Sequence, residues 1–151
     1  MLVAEERVWD FYNLFAGRRF ADLGEYLSSD AWYIQLNSMT ADNSPRGPEA
    51  VVAAYADWSQ WFTDMIVVAL TVTALSEQKV HEVGGAVNCL KVEYVLIGQY
   101  AQPIPNLQPV RLRLGNSARL MMRDTVWMGP NRQIIRATNI FRPISAARSG
   151  M

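Results

Sequence analysis

The sequence predicts an α+β fold in a single domain. Helical periodicity fills most of the first 64 residues, one short alternating strand interrupts it, and the second half is rich in Val, Ile, Thr and Leu in runs broken by turn residues. Helices gathered at one end of a chain and consecutive strands at the other specify a sheet covered by helices, not a βαβ alternation. At 151 residues, 50% hydrophobic and 19% charged, the chain is long enough for one core and too apolar for a disordered tail.

Val3 to Ala16 places Val8, Phe11, Tyr12 and Phe15 three and four residues apart, which is one apolar face of a helix. Phe20, Leu23, Tyr26 and Leu27 repeat that spacing, and Ser28-Ser29-Asp30 punctuate its end, so a second, shorter helix is expected. Ala31 to Asn37 changes period: Trp32, Ile34 and Leu36 alternate with Tyr33, Gln35 and Asn37, a strand with one polar side. Ser38 to Gly47 has the composition of a turn-rich loop. Pro48 then opens a third helix to about Asp64, whose stripe of Val51, Val52, Tyr55, Trp58, Trp61 and Phe62 is wide enough to cover a sheet.

Antiparallel strands are expected at Ile66 to Leu75, Val80 to Val83, Ala86 to Gly98, Ala118 to Met128 and Gln133 to Phe141, with Gly129-Pro130-Asn131 as the last hairpin turn. Gln102 to Gln108 is a proline-broken loop expected to overhang a cavity. No repeat or linker divides residues 1–151, and a flexible tail is expected from about residue 143.

Charge and composition exclude several functions. Fourteen Lys and Arg balance fourteen Asp and Glu, so the basic footprint of a nucleic-acid binder is missing. No apolar run approaches the ~20 residues that span a bilayer, and Met1-Leu2-Val3-Ala4-Glu5-Glu6 lacks the order of a signal peptide, so a cytoplasmic protein with no membrane partner is expected. Cys89 is the only cysteine and His81 the only histidine, and neither disulfide nor zinc spacing is present. No metal and no cofactor are expected. The expected partners are a hydrophobic small molecule and a second copy, a homodimer joined through Trp127, Ile134 and Ile140 on the last two strands.

Three motifs, in order, carry a resemblance: Phe11-Tyr12-Asn13-Leu14-Phe15-Ala16-Gly17, Leu27-Ser28-Ser29-Asp30-Ala31-Trp32-Tyr33 and Arg46-Gly47-Pro48-Glu49-Ala50-Val51. Over nearly its whole length the chain resembles the SnoaL-like branch of the nuclear-transport-factor-2-like superfamily. The resemblance implies a cone, three N-terminal helices packed on a curved antiparallel sheet, with a hydrophobic pocket between helices and sheet. That superfamily holds polyketide cyclases, steroid isomerases, dehydratases, limonene-type epoxide hydrolases and proteins without catalysis, so the fold alone does not choose a function.

Asp124 is the leading candidate for chemistry. Strand alternation in Leu120 to Met128 sets it beside Met122, Val126 and Met128, and desolvation there favours the neutral acid. The resemblance agrees, since Asp124 falls where steroid isomerases carry a hydrogen-bonding Asp and near the acid/base Asp of the cyclases. An ion pair with Arg123 or Arg136 is the competing reading. Tyr12, on the apolar face of the first helix, stands where the isomerases carry an oxyanion-hole Tyr; a purely structural core tyrosine is the alternative.

Gln35 occupies the position of the isomerase base and cannot abstract a proton near neutral pH, so the resemblance does not extend to a simple steroid isomerase. Tyr33 and Gln35 match the water-holding Tyr and amide of limonene-type epoxide hydrolases, and Lys91 and Glu93 match their Arg and Asp pair, although Leu90, Val92, Tyr94 and Leu96 form the more apolar side of that strand, and the alternative is that Lys91 and Glu93 face solvent. Asn139 stands where those enzymes have a second Asp. Trp58, Trp61, Phe62, Met122, Val126 and Phe141 are the candidates to line the substrate pocket, with plain core packing the alternative for the aromatics Trp58, Trp61 and Phe62. The expected function is cofactor-free acid/base chemistry on a hydrophobic small molecule, as a cyclase, isomerase or dehydratase of polyketide or terpenoid-like substrates. Epoxide opening and a non-catalytic ligand-binding or assembly role are the alternatives.

Overall fold

Residues 3–107 and 111–144 are described by a computed structural model of the chain. The elements are α1 (Val3–Ala16), two 3-10 turns (Phe20–Asp22 and Gly24–Tyr26), β1 (Leu27–Gln35), α2 (Pro48–Trp61), β2 (Phe62–Ala74), α3 (Glu77–Val80), β3 (Asn88–Tyr100), β4 (Ser117–Met128) and β5 (Ile134–Pro143). The five strands form one sheet in the order β1-β5-β4-β3-β2. Its neighbours are antiparallel except β1 and β5, which run parallel. The sheet is therefore mixed, a correction to the antiparallel expectation. No hairpin joins β1 to β5, so nothing local dictates the sense of that pairing.

α1 buries Val8, Phe11, Tyr12 and Phe15, the face its periodicity predicts. It stops because Arg18 turns into the left-handed region, with φ 60°, and the Arg19 amide reaches back to the Leu14 carbonyl at 2.8 Å. The expected second helix is two 3-10 turns instead. Gly24 weakens helix propagation there, and Leu27 is drawn into β1 by pairing with Ile134. α2 ends at Trp61 rather than near Asp64, since Phe62 pairs with Tyr100 and the Trp61 carbonyl accepts from the Ala101 amide at 2.8 Å.

The strand expected at Val80 to Val83 is a turn of helix, α3, capped by Ser76, whose hydroxyl accepts from the Lys79 amide. Val80 is buried there with Cys89 and Trp127. β2 is bent by two register shifts, between Thr63 and Ile66 and between Val68 and Thr71, which contain Asp64 at φ 53° and Ala69 at φ 57°. Gly98 makes the first bend possible, because a Cβ there would stand 2.9 Å from Phe62 Cβ.

The main core lies between one face of the sheet and the helices α1 and α2. Ile134 is part of it and Trp127 lies under α3, so the surface expected to join two copies is corrected: of its three residues only Ile140 is exposed. The loop after β3 folds inward, with Ile104 buried and its amide donating to Tyr100 Oη at 2.9 Å; Gln108 lies outside the described residues. Pro143 pairs with Leu120 and the Ile144 amide bonds to Arg119 at 2.7 Å, so strand structure extends to the start of the expected tail, the rest of which, 145–151, lies outside the described residues. Among the described residues no helix is long and apolar enough to cross a membrane.

Candidate functional site

β4 turns Leu120, Met122, Asp124 and Val126 toward the helices, all fully buried. Register sets Val92 of β3 and Asn139 of β5 on either side of Asp124. Three neutral donors converge on the carboxyl group. Tyr12 Oη from α1 and Tyr94 Oη from β3, the latter at 3.2 Å, donate to Oδ2, and Asn139 Nδ2 donates to Oδ1 at 2.6 Å. Burial pushes the Asp124 pKa up from 3.8 to about 6, against the opposing pull of Asn139, Tyr12 and Tyr94. The competing ion pair is not formed: Arg123 binds Glu93, and Arg136 stacks on Trp32 and Trp127.

The network continues on both sides. Tyr12 Oη lies 3.2 Å from Tyr55 Oη, and Asn139 Oδ1 accepts from Gln35 Nε2 at 2.8 Å. Gln35 also donates to Asn37 Oδ1 at 3.1 Å and accepts from Ser38 Oγ at 2.7 Å, while Asn37 takes the Phe141 amide at 2.9 Å. Burial, then the Asp124 carboxylate, raises the phenols of Tyr12, Tyr33, Tyr55 and Tyr94 well above their ordinary range, so all four stay protonated donors. The structure thus brings Asp124, Tyr12, Gln35 and Asn139 into one chain. Tyr33 is near it but bonded elsewhere, accepting from Trp58 Nε1 at 3.3 Å.

Tyr94, Tyr55 and Asn37 escaped the sequence reading. Tyr94 stands in the apolar alternation Leu90, Val92, Tyr94 and Leu96, and only the β3–β4 register shows that this side faces Asp124. The same register decides for the solvent-facing alternative of Lys91 and Glu93. They lie on the other face, opposite Thr125 and Arg123, where Lys91 Nζ is 3.6 Å from Glu93 and Arg123 is 3.2 Å from it.

No protein-family model and no curated protein matches the chain. Solved structures do. A candidate polyketide cyclase from Xanthomonas campestris superposes with a TM-score of 0.63 at 19% identity, covering 91% of this chain and 88% of its own. A nuclear-transport-factor-2-like protein of unknown function from Exiguobacterium gives 0.60 at 14% identity over 93% of this chain and 99% of its own. A hypothetical protein with a ketosteroid isomerase-like fold from Catenulispora acidiphila, in complex with trimethylamine, gives 0.58 at 14% identity over 89% and 83%. The chain has the nuclear-transport-factor-2-like fold.

Within this nuclear-transport-factor-2-like fold, the residues expected to line a pocket form an aromatic wall beside the network. Trp58 stacks on Phe62 with 6.1 Å between ring centroids and meets Trp61 and Phe141 edge-on at 5.0 and 5.4 Å, while Met122 and Val126 flank Asp124 along β4. Tyr33 and Tyr55 close over them, 4.8 Å apart. Asp124, its donors and this wall are all buried. Among the described residues no group of His, Cys, Asp and Glu could hold a metal ion.

Proposed function

We propose that this chain is a cofactor-free acid/base catalyst acting on a hydrophobic small molecule, of the isomerase, cyclase or dehydratase class, with Asp124 as the proton-transferring group. The observation that carries the reading is a buried carboxyl, surrounded by Tyr12, Tyr94 and Asn139, whose pKa of about 6 lets it exchange a proton near neutrality. Similarity in fold to a candidate polyketide cyclase and to a ketosteroid isomerase-like protein supports it.

In this reading the Asp124 carboxylate takes a proton from the carbon beside a substrate carbonyl. The electron pair moves to the carbonyl oxygen, where a tyrosine hydroxyl donates to the developing enolate. Asp124 then returns the proton to another carbon, or the enolate carbon attacks a second carbonyl of the substrate to close a ring and the alkoxide so formed takes the proton from Asp124. Gln35 and Asn139 act as positioning residues, since they hold the carboxyl through Oδ1. The aromatic wall of Trp58, Trp61, Phe62 and Phe141 suits an apolar substrate.

One observation favours a second reading, a non-catalytic module: the carboxyl and its donors are completely enclosed. Epoxide opening, the third, would need Tyr33, Gln35 and Asn139 to share a water, and Tyr33 is held by Trp58 instead. Incubation with a panel of apolar ketones in D2O, read by NMR, tests the lead. Deuterium uptake beside the carbonyl that disappears in Asp124→Asn supports it, and no uptake, or uptake unchanged in the variant, overturns it. Diol formation from limonene oxide would favour the epoxide reading.

A further inference from the structure

On the face of the sheet turned away from Asp124, Arg46, Trp32, Arg136 and Trp127 stand in one cross-strand row. Arg46 bridges to Trp32, Trp32 is the parallel partner of Arg136, and Arg136 is the antiparallel partner of Trp127. The Arg46 and Arg136 guanidinium carbons lie 3.9 and 4.9 Å from the centroid of Trp32, and that of Arg136 lies 5.3 Å from Trp127. Stacking occupies the flat faces of a guanidinium and leaves its N–H edges free to donate.

Among the described residues those edges have no anionic partner. The ion pairs of arginine and lysine among the described residues engage Arg19, Lys79, Lys91 and Arg123, and Arg136 Nε is a buried donor with nothing to donate to. Both arginines line an open cleft of about 550 Å3, between β1, the loop after α3 and the β4–β5 turn. Two carboxylates also line it: Glu82 pairs with Lys79 at 3.2 Å, and Asp30 accepts from the neutral Ser28 Oγ at 2.9 Å, so two guanidiniums share the cleft with one carboxylate that has no cationic partner among the described residues.

We propose that this cleft binds an oxyanion, phosphate or carboxylate, carried on a small hydroxylated molecule. Arg46 and Arg136 grip the oxyanion through their N–H edges, a fork that can pair with two oxygens of either group. Asn131 and Gln133 in the cleft wall offer neutral donors and acceptors for hydroxyls. Gly85, at φ 87° and with open space where a Cβ would stand, lets the ligand approach the backbone. The site lies on the opposite face from the Asp124 network and is independent of the proposed activity.

Isothermal titration calorimetry at constant ionic strength tests it, with ribose 5-phosphate, citrate and uncharged ribose as probes. Saturable binding of either anion with Kd of about 1 mM or tighter is expected, with none for ribose. Binding by ribose 5-phosphate alone assigns phosphate, by citrate alone carboxylate, and each supports the site. Arg46→Gln, an exposed change in the loop before α2, and Arg136→Lys, which keeps charge but loses the fork, should each weaken binding about tenfold or more. No saturable heat for either anion up to about 10 mM, or binding unchanged in folded Arg46→Gln, overturns the proposal.

Discussion

Asn139 Nδ2 donates to Asp124 Oδ1 at 2.6 Å, between residues that face each other across the β4–β5 pairing. The amide is held in this sense because its oxygen accepts from Gln35 Nε2, which also donates to Asn37 Oδ1, and that oxygen is fixed as an acceptor by the Phe141 backbone amide. An N–H therefore always points at Oδ1, and a proton on that oxygen would face another donor. A proton on the neutral acid is therefore favoured at Oδ2, beside Tyr12 and Tyr94, whose hydroxyls can rotate to accept it where an amide N–H cannot.

The first prediction concerns turnover. Asp124→Asn keeps the size of the side chain and removes its exchangeable acid, so any acid/base activity should fall by about 10² to 10⁴. Measuring kcat with a substrate identified by deuterium uptake checks this. A variant as active as the parent removes Asp124 from the mechanism.

Stability should depend on pH through the same group. The folded pKa of about 6 lies above the ordinary 3.8, so between these values the folded state holds a proton that the unfolded chain has released. The favourable contribution is complete below the lower value and is lost as pH rises through the higher one. Relative to Asp124→Asn, the parent should lose roughly 2 kcal/mol of stability between pH 4 and pH 7. Urea denaturation of both proteins across that range measures it; a difference that grows in the parent's favour contradicts the assigned direction.

Tyr94 lowers the Asp124 pKa by donating to the carboxylate, so Tyr94→Phe should raise it. A hydrogen bond to a charged group contributes about 1.5 to 3 kcal/mol, which corresponds to an upward shift of about one to two units. Titration of carbon-13-labelled aspartate by NMR gives the midpoint directly. An unmoved midpoint means that Tyr94 does not reach the carboxyl.

The two faces of the sheet should answer differently to substitution. Asn139→Leu strands the buried Gln35 donor and the Asp124 oxygen, and should cost about 2 to 4 kcal/mol. Glu93→Gln on the opposite, half-exposed face should cost less than about 1 kcal/mol. Chemical denaturation of the two variants compares them, and equal costs would argue that Glu93 is buried with the site.

We also propose that two copies associate through the outer face of the sheet, where register lines up Val68, Val95 and Met121 and Ile66 and Ile140 are exposed. Light scattering should give twice 17.0 kDa, and Val68→Glu should return the mass to 17.0 kDa. A parent that is monomeric at micromolar concentration excludes this interface.

Local periodicity made much of this protein legible in its sequence. The apolar face of α1 is written in the spacing of Val8, Phe11, Tyr12 and Phe15, and the inward turn of Asp124 in its alternation with Met122 and Val126, because 3.6-residue and two-residue periods follow from backbone geometry alone. Which strands lie side by side, and in what register, depends on contacts between residues far apart in the chain. Only tertiary structure could therefore set Asn139 opposite Asp124, bring Tyr94 to the carboxyl, run β1 parallel to β5 and send Lys91 and Glu93 to the far face. The helical turn of α3 in place of a strand has the same origin: Val80 packs on Trp127 and Cys89, and burial of that apolar surface outweighs the weak local preference of four residues.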